Sequence, residues 1–299
     1  MMNRRIYLGL ISIQIFFLSS CNYGNGGRPL MGGNIGNENT SGDTAGLCDD
    51  ISSGRNGTSA ITVRDIGLPA MRPSSGEQIL RRTAYTVSYN KDLKLPNWVA
   101  WHLTAAHVGG KYGRKGIKFR EDEDVPEPRA TDSDYYNSGY DRGHMCPSAD
   151  CKWSEEAQLE SFLFTNACPQ VHGLNAGDWN EIEQQCRRWA KEYGGLYIVS
   201  GPVLYKKSRN KKIGKNKVTV PEAFFKVVLR MGDNPQAIGF VYKNEAGDNP
   251  KSSYVNTVDE VERITGLDFF TALPDDVEYR VESKADLRAW GIVCGMAVR

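Results

Sequence analysis

Net charge is what this 299-residue sequence has least of: 37 lysines and arginines face 36 acids, a formal balance of +1. A chain so near neutrality has no global field to steer a charged partner, so any such attraction must be local. Long apolar runs are scarce; the one that stands out, Ile6 to Leu18, is too short to span a bilayer comfortably. No two of the seven cysteines are spaced as CxxC, which disfavours zinc. Histidine is rare, with four in the chain, and no internal repeat is visible. What is present, 24% charged and 40% hydrophobic residues with a mean hydropathy of −0.48, describes a soluble globular protein of one large domain or two small ones.

The apolar run follows Asn3, Arg4 and Arg5, and together they read as the n-region and h-region of a secretory signal. It ends in Leu18-Ser19-Ser20-Cys21, which resembles the lipobox of bacterial lipoproteins, where the cysteine is lipidated and becomes the mature N-terminus. The expectation is a signal peptide over residues 1–20 and an exported protein held by a lipid on Cys21 to the cell envelope, at its periplasmic face or the cell surface. Cleavage removes Arg4 and Arg5, leaving a charge of about −1. Residues 21–57 are rich in Gly, Asn, Ser and Thr and read as a flexible tether to a domain over 58–299. In an exported protein the six remaining cysteines, Cys48, Cys146, Cys151, Cys168, Cys186 and Cys294, suggest three disulfides, or two and a free buried thiol. A Cys146–Cys151 bond would stiffen the loop after His144.

Aromatic and β-branched enrichment predicts strands over 84–89 and 98–103, and a buried strand over 161–165 followed by a loop from Asn166 to Gln170. Asp178 stands three residues before Glu181 in a capping-box pattern, and Ile182, Cys186, Trp189 and Tyr193 share one helical face. A helix is therefore expected from Trp179 to Tyr193, stopped by Gly194-Gly195. Strands over 196–200, 223–230 and 237–242 and a helix over 258–265 complete an α+β architecture built on a mostly antiparallel sheet.

The chemistry gathers in Ser138-Gly-Tyr-Asp-Arg-Gly-His-Met-Cys146, read as a turn. His144 is the one side chain there able to accept a proton near neutrality, Arg142 offers a planar fork suited to phosphate, Asp141 can orient an imidazole, and Gly143 lets the backbone bend between them. Attack on a phosphodiester also needs charge stabilisation, commonly from a metal. Downstream, Asn166, Gln170, Asn175 and Glu183 form N-x3-Q-x4-N-x7-E, a sparse and mostly neutral set of oxygen donors suited to a Mg²⁺ that keeps several waters. His102 reads as structural; His107 and His172 have no evident partner; Trp153, Trp189 and Trp290 read as packing residues.

In this series the sequence resembles the DNA/RNA non-specific endonucleases, the DRGH branch of the ββα-metal nucleases. The resemblance runs from about Tyr85 to Glu282, through Trp98-Val-Ala-Trp101, Tyr140 to Asp150, Thr165 to Gln170, Asn175 to Trp179, Glu183, Val199 to Val203, Val220 to Lys226 and Ile264 to Phe270. It implies a ββα-metal nuclease fold with a central, mostly antiparallel sheet flanked by helices. It also implies Mg²⁺-dependent hydrolysis, Mn²⁺ being the alternative ion, that leaves 5′-phosphate ends on DNA and RNA. By position, His144 looks like the general base, Arg142 a phosphate contact and Asn175 the direct metal ligand. Glu183 looks like the holder of a metal-bound water, and Asp141, Asn166 and Gln170 like supporting residues.

A polyanion then needs a local basic surface. Lys206, Lys207, Arg209, Lys211, Lys212, Lys215 and Lys217 supply seven cations within twelve residues, opposed elsewhere by Glu121-Asp-Glu-Asp124. The competing expectation is a surface lipoprotein that binds nucleic acid on a degenerate nuclease fold without cutting it.

Overall fold

The computed structural model describes residues 66–70, 77–205 and 209–292. Residues 1–56 and 57–299 form separate units, and every described residue belongs to the second. The signal peptide, Cys21, the tether, Cys48, Cys294, Lys206 and Lys207 all lie outside the described residues.

In chain order the elements are β1 (Glu77–Arg81), β2 (Thr86–Asn90), β3 (Leu95–Thr104), α1 (Asp132–Tyr135), β4 (Asp141–His144), α2 (Glu155–Glu160), β5 (Ala167–Gln170), α3 (His172–Ala176) and α4 (Asp178–Tyr193). There follow β6 (Gly195–Val203), β7 (Lys212–Ile213), β8 (Val218–Thr219), β9 (Ala223–Arg230), β10 (Gln236–Lys243), β11 (Val255–Asn256), α5 (Val258–Thr265) and α6 (Asp275–Glu282). A seven-stranded antiparallel sheet runs β1-β2-β3-β6-β9-β10-β11. Two small ladders stand apart from it, β4 with β5 and β7 with β8.

Both faces of the large sheet are covered, which is why its central strands read as continuous apolar runs rather than alternating ones. Along β9, Phe224 and Val228 face one core with Trp179, Ile182, Cys186 and Trp189 of α4. Phe225, Val227 and Leu229 face the other with Val258 and Val261 of α5 and Val281 of α6. Period two on the strand thus divides a single hydrophobic segment between two layers of helices. Trp189 and Trp290 are fully buried edge to face, 4.7 Å between centroids, whereas Trp153 is only half-buried and stacks on His107. His102 stacks on Tyr197 at 4.4 Å, a packing role as expected.

Several local expectations need correction. The DRGH segment is a strand, not a turn: Asp141 pairs with Gln170, Arg142 with Pro169, Gly143 with Cys168 and His144 with Ala167. Its partner is the stretch expected as a loop. The run expected as a strand, 161–165, is instead the turn that follows α2, a single parallel bridge of Leu163 with Arg120 and the start of a 3-10 turn, with Phe162 and Phe164 packed against Phe119. Helix α4 starts at Asp178 with Gly177 as its cap, so the capping box is absent; the Asp178 carboxylate instead accepts from the Tyr254 hydroxyl. The stop is as expected, with Gly194 in the left-handed region at φ 84°. Finally, Cys146, Cys151, Cys168 and Cys186 are all free buried thiols, and the Cys146 and Cys151 sulfurs stand 3.7 Å apart without a bond.

Gly143 explains how β4 and β5 close. A Cβ at this position would lie 2.1 Å from Oε1 of the buried Gln170 and 2.7 Å from its Cβ, so the strands meet only because residue 143 has no side chain. Gly143→Ala is expected to lower stability by about 1–3 kcal/mol, measured by urea unfolding; an unchanged midpoint would show that Gln170 yields freely.

Candidate active site

Residues two apart on a strand share a face, so β4 turns Arg142 and His144 the same way while Gly143 turns towards Gln170. A cavity of about 380 Å³ opens there, lined by Arg142, His144, Asn175 and Glu183 together with Arg114, Lys152 and Arg187. Five separate segments therefore converge on it: the loop before α1, strand β4, the loop between β4 and α2, helix α3 and helix α4. A larger cleft of about 590 Å³ runs along the acidic segment 121–124. The carboxylates of Glu121, Asp122 and Asp124 are engaged by Arg82 and Arg129 and hold the fold, Asp122 being buried against Arg82 at 2.6 Å and Thr165 at 2.6 Å.

Asp141 does not line the smaller cavity but stands behind Asn175, which does. Its Oδ2 accepts from Nδ2 of Asn175 at 2.9 Å and contacts Nδ1 of the exposed His172 at 2.8 Å. Holding the amide by its nitrogen leaves the Asn175 carbonyl oxygen free for another partner. Arg142 is aimed by α1: Nε donates to Oδ1 of Asp132 at 2.8 Å, and the guanidinium lies over the Tyr135 ring at 5.4 Å.

His144 is held by aromatics. Its ring tilts against Phe119 at 4.8 Å and meets Phe162 edge-on at 5.0 Å, while its Nε2 has no hydrogen-bond partner among the described residues. Burial, reinforced by the positive charge of Arg114, holds its pKa down at about 3. The imidazole is thus neutral, with a nitrogen available to accept a proton. Glu183 moves the other way: burial, with Asp150 adding repulsion, pushes its carboxyl up to about 7 against the pull of Lys226, Arg187 and Arg114.

Beneath the cavity lies a buried charge network. Asp150 accepts from Arg187 at 2.9 Å and from the Trp101 indole at 3.2 Å. Lys226, 1% exposed, has no hydrogen-bond partner among the described residues; its ammonium sits between the rings of Trp101 (4.9 Å) and Trp179 (4.4 Å). Burial lowers its pKa, opposed by Glu183 and Asp150 among others. The two indole faces supply the counter-field a desolvated cation needs.

The structure brings Arg142, His144, Asn175 and Glu183 together in the cavity, holds Asp141 behind Asn175, and leaves Asn166 and Gln170 outside. Asn166 is a buried splint: its amide accepts from Cys146 N and donates to the Cys146 and Ser161 carbonyls. Gln170 fills the space above Gly143. Arg209, Lys211 and Lys212 are exposed on or beside the β7–β8 hairpin, and Lys211 reaches over Tyr140, the residue before Asp141, at 4.8 Å. Asn216 of that hairpin donates to Asp134 of α1 at 2.8 Å, tying the basic loop to the element that aims Arg142. Sequence reasoning missed Arg114, Lys152, Arg187 and Lys226. Arg187 was within reach, standing one helical turn after Glu183; Arg114 and Lys152 lie in loops with no periodic signal, and Lys226 looks like any charge in a strand.

For a metal, the donor set fits a hard cation: one amide oxygen freed by Asp141 and one carboxylate, Glu183, with no hydrogen bond among the described residues and a proton affinity that a nearby positive ion would lower.

A strand pair whose first strand carries an arginine and a histidine, followed by helices that carry an amide and a carboxylate on the same cavity, defines a ββα-metal nuclease fold in an α+β protein. The profile of the DNA/RNA non-specific endonuclease family matches residues 65–276, and the chain belongs to that family. It is 37% identical over 216 residues to the mitochondrial nuclease EXOG of Danio rerio, covering 67% of this chain and 63% of that protein. It is 36% identical to nuclease C1 of Cunninghamella echinulata var. echinulata, over 67% of this chain and 86% of the relative, and 32% identical to human mitochondrial endonuclease G, over 68% and 71%. A chain in the crystal structure of the EndoG/EndoGI complex superposes with a TM-score of 0.65 at 29% identity, covering 73% of this chain and 95% of that one. The chain spans about three-fifths of the length of the EXOG nucleases it matches.

The depressed pKa of His144 has a sign that stability can read. Between about pH 6.5 and about 3 the unfolded chain binds a proton that the folded imidazole refuses, so this group lowers stability as pH falls through that window. His144→Asn is expected to lose less Tm than the unmodified protein between pH 7.5 and 5, by thermal unfolding monitored by circular dichroism. Equal losses would place His144 in a solvated environment.

Proposed function

We propose that the protein is a metal-dependent endonuclease that hydrolyses phosphodiester bonds of both DNA and RNA and leaves 5′-phosphate ends. The observation that carries this reading is the neutral imidazole of His144, its Nε2 without a hydrogen-bond partner among the described residues, in one cavity with two oxygen donors and three arginines. The nuclease names of the relatives support it.

In this reading His144 accepts the proton of the attacking water. A phosphodiester entering the cavity sets negative charge against Arg114, which removes part of what depresses the imidazole and brings its basicity towards the working range. Arg142, Arg114 and Arg187 hold phosphate oxygens and the charge that grows on them. Asn175 would bind Mg²⁺ or Mn²⁺ directly and Glu183 through water; the bound ion would neutralise charge on the scissile group and the leaving oxygen. Because every contact falls on the phosphate, neither base nor sugar is read, and the basic hairpin beside β4 supplies sequence-independent affinity.

The reading also includes export: a signal peptide over 1–20, lipidation at Cys21, a tether over 21–57 and a catalytic domain over 58–299, all supported by the residue patterns at the N-terminus.

Two experiments test this reading. Purified protein is expected to cut supercoiled plasmid and single-stranded RNA with Mg²⁺, and to lose at least a hundredfold of that rate in EDTA or as His144→Ala. Cleavage that survives both changes would refute the assignment of base and metal. Replacing Lys211, Lys212, Lys215 and Lys217 by glutamine is expected to flatten the dependence of log KM on log salt by roughly one unit per lysine that touches phosphate. An unchanged slope would remove the hairpin from the substrate path.

A further inference from the structure

On the sheet face opposite the nuclease cavity, α5 and α6 bring three carboxylates together. Asp259 is exposed, Glu262 is half-buried, and Glu282 is only 6% exposed; one oxygen from each lies within 4.8 Å of the others. Glu262 already accepts the Phe269 backbone N–H at 2.7 Å, which fixes its direction. Glu282 is the unusual member, because its buried Oε1 has no hydrogen-bond partner among the described residues. Asp268 and Glu278 stand close enough to add repulsion, and no lysine or arginine among the described residues pairs with the three. Burial first, then these four acids, push the Glu282 carboxyl up to about 9.

A buried carboxyl in such a field needs a proton or a cation. A proton shared between two carboxylates would satisfy one neighbour, but here three oxygens converge, one more than a proton bridges. We propose that Asp259, Glu262 and Glu282 form a divalent-cation site of the calcium class that clamps α5 to α6. The donor set suits it. Three carboxylates with an open side fit Ca²⁺, which takes about six to eight oxygens in a flexible geometry, better than Mg²⁺, which demands a near-ideal octahedron and keeps most of its waters. The exposed Asp259 side leaves room for the waters that complete the coordination shell. The role is structural: the clamp joins two short helices that otherwise meet the sheet through Val258, Val261 and Val281.

Thermal unfolding of the full protein carrying Asn175→Ala tests the clamp without a contribution from the nuclease cavity. CaCl₂ at about ten times its Kd is expected to raise Tm by roughly 3–6 °C over EGTA, and MgCl₂ at the same concentration by much less. Adding Glu282→Gln, which keeps the shape and removes the charge, is expected to abolish the calcium response while leaving the Tm in EGTA no lower than that of its parent. Asp259→Asn at the exposed rim is expected to weaken the response without affecting folding. A calcium shift that persists in the Glu282→Gln protein, no shift in the Asn175→Ala parent, or an equal shift with Mg²⁺ would each overturn the proposal.

Discussion

The hydrogen bond from Asn175 to Asp141 is the constraint on which the site depends. It spans the gap between strand β4 and helix α3, and it decides which end of a neutral amide faces the cavity. Everything around it serves to keep its two ends in place. The β4–β5 ladder fixes Asp141 opposite Gln170, Gly143 allows that ladder to close, and Asn166 pins the chain just beyond His144 by bonding both backbone groups of Cys146. Asn166 and Gln170 thus matter to the chemistry by supporting the strand pair, not by reaching the substrate.

The electrostatics of the cavity follow from burial acting on groups of opposite sign. Desolvation disfavours whichever form is charged, so it drives the His144 pKa down and the Glu183 pKa up, and the two move apart within one cavity. In the proposed reading these two groups serve proton transfer and cation binding, the tasks that such a separation of pKa values suits. The arginines and Lys226 bias the same site towards anions. Lys226 does so from below, enclosed by two indoles, where no solvent screens its charge. A protein of nearly zero net charge can in this way present a strongly positive floor and rim to a polyanion.

How much of this could be read from the residues depended on periodicity. Helix α5 and strand β9 were expected at 258–265 and 223–230 and occur there, and α4 begins one residue early, because amphipathic spacing and terminal glycines are local signals. The DRGH segment was expected as a turn because charges and a glycine crowd together. It is a strand because its partner, Ala167–Gln170, supplies the ladder from further along the chain, from the pairing of Asp141 with Gln170 to that of His144 with Ala167. The buried run at 161–165 carries the composition of a strand but pairs only through a single parallel bridge of Leu163 with Arg120, and composition cannot register how far a ladder extends. Arg142, His144, Asn175 and Glu183 came from the motif series. Arg114 and Lys226 came only from three dimensions, since their proximity is created by the loop before α1 and the middle of the sheet.

The central claim is that Asp141 orients Asn175 to receive a metal, and Mg²⁺ affinity measures it most directly. Calorimetric titration of Mg²⁺ into His144→Ala protein and into the same protein with Asp141→Asn is expected to show affinity weakened by about 10–100-fold in the second, with the fold intact by circular dichroism. Equal affinities in the two proteins would mean that the amide is held by something other than Asp141, and the account of the site would fail.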